Sequence, residues 1–191
     1  MPSTPETEST RADTATPPLH PGVDSEVDLP GGKRVAVRVY GRKTPGAASP
    51  LVVHFHGGAF VSGDLDNGCT VAQLLLGAGA VVVSVAYPLA PQHPFPNAAE
   101  AGYEVLKWAF RQRTRLAGQG ALVYLAGEEA GGNVAAAVSL MARDQAHPPL
   151  AGQILLSPML DPCVGTASLR QATGSATCCK WVEGWLSYLH S

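Results

Sequence analysis

Leu51-Val52-Val53-His54-Phe55-His56-Gly57-Gly58-Ala59-Phe60 is the stretch on which the fold is decided. Leu51 to Phe55 runs on without the alternation of a half-exposed strand, the pattern of a strand covered on both faces. Adjacent glycines then end it, so the exit loop can bring backbone N–H groups close to a ligand. Similar apolar runs recur at Ala80 to Tyr87, Ala121 to Ala126 and Gln153 to Ser157. Helical patterns fill the gaps. One spans Val71 to Leu76 and closes at Gly77. A longer one, about Ala98 to Arg113, carries Tyr103, Leu106 and Phe110 as its apolar stripe, with Asn97 and Glu100 at capping-box spacing. A third, dense in alanine, runs from about Gly132 to Arg143. Strand and helix in alternation predict an α/β fold: a mostly parallel sheet with helices on both faces.

Outward from this centre, Val35, Val37 and Val39 alternate with Ala36, Arg38 and Tyr40, as in a half-buried strand near a sheet edge. Before it, Met1 to about Gly22 holds Thr, Ser, Pro and Glu with almost no large apolar residue. Such a segment buries too little to offset its ordering entropy. The expected organisation is a disordered tail over 1–24 and one partial domain over 25–191.

Composition narrows the function. The hydrophobic fraction is 46% and the formal net charge −2, which argues against a nucleic-acid or anionic-membrane partner, since both need clustered Lys and Arg. The longest apolar stretch, around Ala80 to Ala86, falls far short of the roughly 20 residues of a membrane span. No basic start followed by an apolar segment opens the chain, so no secretory signal is expected. Cys69, Cys163, Cys178 and Cys179 lack C-x-x-C spacing, and the adjacent pair would strain a mutual disulfide. A reduced chain in the cytoplasm is the expectation.

Chemistry is sought at the C-terminal ends of the strands. His54 and His56, two apart on a strand, share a face as a metal pair would. A third ligand is missing, so neither metal nor cofactor is expected. Gly127-Glu128-Glu129-Ala130-Gly131-Gly132-Asn133 has the spacing of a phosphate loop, but Asn133 and Val134 stand where Lys and Ser or Thr are required. The segment matches instead a nucleophile elbow, G-x-S-x-G, with Glu129 in the place of the serine.

Four motifs in order carry a resemblance: His56-Gly57-Gly58-Ala59-Phe60, Gly63-Asp64, Tyr87-Pro88-Leu89-Ala90-Pro91-Gln92-His93-Pro94-Phe95-Pro96 and Gly127 to Asn133. Over about Val35 to Asp161 the chain resembles the hormone-sensitive-lipase-like α/β-hydrolases. The resemblance implies a carboxylic-ester hydrolase fold, incomplete at its C-terminal side, acting on a small-molecule ester or related ligand. It implies an oxyanion-hole loop of Gly57, Gly58 and Ala59, a further N–H from Ala130, and residue 129 as nucleophile. His56, Gly127 and Gly131 support the motifs, and Tyr87 to Pro96 is a structural loop. Two departures stand out. Glu129 replaces the serine, and the family's later Asp and His have as counterparts only Asp161, readable as a turn residue before Pro162, and His190, one residue from the last.

Side-chain length explains what Glu129 does there. Its carboxylate carbon lies as far from Cβ as the carbonyl carbon of an acyl-serine, so it occupies the cradle of the acyl group. An anion held there opposes the negative charge that develops during ester attack. The reading is a silenced hydrolase, a pseudoenzyme. Alternatives are a non-catalytic small-molecule-binding protein on the same scaffold, a carboxylate nucleophile of the kind that opens epoxides, and a truncated product without independent function. If the sheet ends after Gln153 to Ser157, that strand becomes an open edge. Trp181, Trp185 and Tyr188, at helical spacing, are placed to fold over it, or the edge supports self-association.

Overall fold

Strand β3 (Leu51–Phe55) occupies the middle of a six-stranded sheet ordered β1-β2-β4-β3-β5-β6. The structure, a computed structural model, describes residues 21–163, 166–171 and 176–190. β1 (Val23–Asp28) and β2 (Arg34–Tyr40) pair antiparallel, and β2 runs antiparallel to β4 (Val81–Val85). β4, β3, β5 (Val123–Glu128) and β6 (Gly152–Leu156) are mutually parallel. The α/β architecture read from the apolar runs is the one observed.

Alternate residues of β3 feed two cores. Leu51, Val53 and Phe55 face α2 (Asn97–Ala117) and α3 (Ala130–Asp144), where Val105, Leu106, Ala109, Val134 and Val138 complete the packing. Val52 faces the other side, with Tyr40, Val82 and Ala72 of α1 (Cys69–Gly77). Burial on both sides is what removes alternation from the sequence of these strands.

The structure departs from the expected elements in three places. β1 begins at Val23, inside the stretch assigned to the tail, and it displaces β2 from the edge. Its sequence, VDSEVD, buries only Val27, and its charges pair with β2 (Arg34 with Glu26, Arg38 with Asp24), so an apolar search passes over it. Residues 1–20 lie outside the described residues. The capping box does not form: Pro96 holds the cap position, Asn97 is already helical, and its side-chain amide donates to the Pro94 carbonyl at 2.8 Å. Finally, α5 (Ala176–Leu189), which follows the short α4 (Ala167–Gln171), does not shelter β6. Its aromatic face docks instead on Phe60 and Phe95, where Trp185 and Tyr188 find aromatic rings to pack against. β6 stays largely exposed.

Candidate functional site

β3 and β5 end side by side, Phe55 opposite Gly127. The loop after β3 and the turn from β5 into α3 therefore face one another. Glu129 forms the turn at φ 49°, ψ −116°, an unfavourable conformation for a residue with a Cβ. Three backbone bonds hold it: its N–H donates to the Leu156 carbonyl at 3.0 Å, and its own carbonyl accepts from Met159 at 2.9 Å and Asn133 at 3.3 Å. The glycines on either side are sterically required. A Cβ on Gly127 would lie 2.2 Å from the Gly131 oxygen, and one on Gly131 would lie 2.1 Å from the Phe55 oxygen.

Across the gap, the Gly58 N–H donates to Glu129 Oε2 at 3.3 Å, and the Gly57 N–H donates to Glu128 Oε1 at 3.2 Å. The two loop N–H groups thus go to two carboxylates, and Glu129 shares with Glu128 the cradle it was expected to occupy. Glu128 is drawn in because its other oxygen meets His54 Nε2 at 2.7 Å, while His54 Nδ1 lies 2.9 Å from Ser84 Oγ. Ser84, His54 and Glu128 form a polar thread across β4, β3 and β5, with the imidazole fully buried. Ala59 and Phe60 continue the loop at positive φ, and Ala130 opens α3, buried directly after the turn.

His56 faces another neighbour. Its ring stacks on Tyr87 with centroids 4.4 Å apart, and Nδ1–H donates to the Gly57 carbonyl at 2.7 Å. The Tyr87 hydroxyl in turn donates to the His56 carbonyl at 2.8 Å. Burial holds the His56 imidazole below its ordinary pKa and pushes the Tyr87 phenol well above the usual range. The backbone N–H groups of Asn67 and Asp66 hold the Asp64 carboxyl below the usual carboxylate range, and this turn shapes the outer wall.

Helix α5 supplies the remaining support. Phe60 stacks on Tyr188 at 4.0 Å and tilts against Trp185 at 4.8 Å. The Phe95 N–H donates to the Tyr188 carbonyl at 2.7 Å, and burial pushes the Tyr188 phenol up to about 12. Gly184 packs against Ala59 so closely that a Cβ there would sit 2.1 Å from the Ala59 oxygen. Gly57, Gly58, Ser62, Gly63, Asn67, Glu128 and Glu129 line an open cavity of about 310 Å³. A wider cleft of about 570 Å³, bordered by Lys33, His93, Asn97 and Tyr103, involves neither glycine loop.

Of the residues read as one site, Gly57, Gly58 and Glu129 line the smaller cavity, while Ala59 packs against Gly184 and Ala130 is buried at the start of α3. His54 and His56, two apart, serve different partners: the His54 ring meets Glu128 and Ser84, and the His56 ring stacks on Tyr87. Asp161 accepts the Cys163 N–H at 2.9 Å, and His190 Nδ1–H donates to the Leu186 carbonyl of its own helix. Glu128 and Ser84 were missed. The signal was present: Ser84 interrupts a run of valines and lies opposite His54 in the parallel pairing.

A family model described as alpha/beta hydrolase fold matches residues 52–187. Esterase LipI of Mycobacterium tuberculosis is 40% identical over 147 residues, covering 74% of this chain and 46% of LipI. Gibberellin receptor GID1C of Arabidopsis thaliana is 35% identical over 134 residues, covering 68% of this chain and 39% of the receptor. Among solved structures, esterase LipW from Mycobacterium marinum superposes with a TM-score of 0.79 at 35% identity, covering 87% of this chain and 53% of LipW. The chain thus spans about half the length, or less, of the proteins it resembles. A match over most of the sequence, together with the sheet order and the strained turn after β5, makes this chain a member of the alpha/beta hydrolase fold family.

Proposed function

We propose that the cavity beside Glu129 is an esterase-type site silenced by its own side chain. The hydrogen bond from the Gly58 N–H to Glu129 Oε2 carries this reading. Gly57, Gly58, Ala59 and Ala130 are assigned to the oxyanion hole and Glu129 to the nucleophile position. An anion at that position, at the N-terminus of α3, is stabilised by roughly 0.3–2 kcal/mol. It also disfavours a second negative charge in the same cradle. A cavity of about 310 Å³ is at the small end of ligand sites and suits a short-chain ester. The free thiols of Cys69, Cys163 and Cys179 fit a reducing, cytoplasmic setting; the Cys178 side chain lies outside the described residues. No helix among the described residues is long and apolar enough to cross a membrane.

The test is hydrolysis of p-nitrophenyl butyrate by the purified chain. The expected rate equals that of buffer alone. Glu129→Ser is expected to stay inactive as well, because His54 and His56, the imidazoles bordering the site, are already engaged. Turnover by the parent chain that disappears in Glu129→Gln would overturn the reading.

Two carboxylates lining one cavity favour a second use of the site, retention of a neutral or cationic small molecule without turnover. Thermal shift with ethyl butyrate, acetylcholine and butyrate separates the cases. Stabilisation by either of the first two, with none by butyrate, supports binding; three flat responses exclude it for this ligand class.

A further inference from the structure

The wider cleft lies at the β1–β2 end of the sheet, away from β6. One wall is the turn between β1 and β2. Pro30 opens this turn, Gly31 and Gly32 carry it round at φ 77° and 75°, and the Leu29 N–H donates to the Lys33 carbonyl at 2.8 Å. The other wall is a stripe of α2: Asn97, Glu100, Ala101 and Glu104 stand at the i, i+3, i+4 and i+7 spacing of one helix face. Buried Val35 and Tyr103, with partly buried Leu29 and Met141, supply an apolar lining continuous with the main core. The two walls differ in charge. Arg34 is paired with Glu26, and Glu104 with Lys107. Lys33 and Glu100 have no ion pair among the described residues, so one ammonium and one carboxylate border the cleft on opposite walls.

We propose that this cleft binds a short apolar peptide with free termini, its carboxylate at Lys33 and its ammonium at Glu100. Charge complementarity selects the occupant. A fatty acid would satisfy Lys33 and meet Glu100 as a like charge, and an alkylamine would do the reverse. A zwitterion answers both, while its hydrocarbon side chains cover Leu29, Val35 and Met141. The cleft volume of about 570 Å³ lies in the range of sites for drug-sized ligands, with room for more than one residue. Asn97 donates one amide N–H to the Pro94 carbonyl and keeps its Oδ1 as an acceptor for a peptide N–H. Both walls are ordered by their own hairpin and helix, so little ordering entropy opposes binding. The cleft shares no lining residue with the cavity beside Glu129, and the proposal is independent of what that cavity does.

The probe is leucyl-leucine, titrated into the full chain by calorimetry and by the methionine methyl signals in NMR. N-acetyl-leucyl-leucine lacks the ammonium and leucyl-leucinamide lacks the carboxylate. Each exposed charge pair accounts for about two- to fivefold in affinity, so each blocked peptide binds weaker than leucyl-leucine by that factor. Lys33→Gln weakens leucyl-leucine equally and leaves leucyl-leucinamide unchanged. Glu100→Gln weakens leucyl-leucine and leaves the acetylated peptide unchanged. Both side chains are exposed, and circular dichroism checks that the variants fold. The parent chain gives a reading independent of any variant: the Met141 methyl signal moves on binding. Met159, whose N–H bonds the Glu129 carbonyl, reports on the other cavity and stays in place. No saturable binding of leucyl-leucine up to about 10 mM, blocked peptides that bind as tightly as the free one, charge variants that do not discriminate among the three, or a shift of Met159 in place of Met141 would each overturn the proposal.

Discussion

Replacing Gly131 by alanine tests the close seating of α3 beneath the end of β3. The new Cβ would lie 2.1 Å from the Phe55 oxygen and 2.4 Å from the His56 oxygen. A carbon–oxygen contact needs about 3.3 Å, so helix and strand must separate by roughly 1 Å. Both obstructing atoms are backbone, and no rotamer change relieves them. Overpacking of this kind costs about 1–3 kcal/mol, and an obstacle that cannot move belongs at the upper end. Alanine returns about 1 kcal/mol through its better helix propensity. The net loss of about 2 kcal/mol lowers Tm by about 4–8 °C for a chain of this size. Gly77→Ala is the control: it is helical, and a Cβ there meets nothing within 4 Å. It gains up to about 1 kcal/mol, a rise of about 2–4 °C. Calorimetric melts of parent and variants under one buffer condition decide the matter. If Gly131→Ala melts at or above the parent while Gly77→Ala rises as expected, the seating described here is wrong.

Two further outcomes follow from buried polar groups. His56 is held below its ordinary pKa by burial, so between its unfolded value, near 6.5, and its folded value the unfolded chain binds a proton that the native chain does not. Stability is therefore complete above about pH 7 and falls as pH drops through this window; Tm measured from pH 7.5 to 5 should decline, and His56→Gln should flatten the curve. Ser84→Ala leaves buried His54 Nδ1 without its partner and should cost about 1–3 kcal/mol, read as a lower denaturation midpoint at unchanged m; an unchanged midpoint means the thread contributes nothing.

What was legible in the sequence followed from burial. Leu51–Phe55 and Val81–Val85 announce a sheet covered on both faces because every residue in them is buried, and Val123–Glu128 is buried except at half-exposed Tyr124 and Glu128. The glycine loops were readable because backbone crowding admits no other residue at Gly127 or Gly131. β1 was not legible, since its stability comes from pairing and ion pairs rather than from an apolar pattern. The docking of α5 was half legible: the spacing of Trp181, Trp185 and Tyr188 gave the helix, but Phe60, on which Trp185 and Tyr188 pack, lies more than a hundred residues away in a loop. The division of the loop N–H groups between Glu128 and Glu129 was also hidden, because it depends on an imidazole one strand over.

The polar thread through Ser84, His54 and Glu128 has a bearing on how the sheet finds its alignment. Leu-Val-Val-His-Phe and Val-Val-Val-Ser-Val are so uniformly apolar that sliding one past the other by two positions would still bury hydrocarbon against hydrocarbon. The imidazole marks the native alignment against such a slip, which would strand a proton donor or acceptor in a dry interior. One buried histidine thus serves as an index mark across three strands.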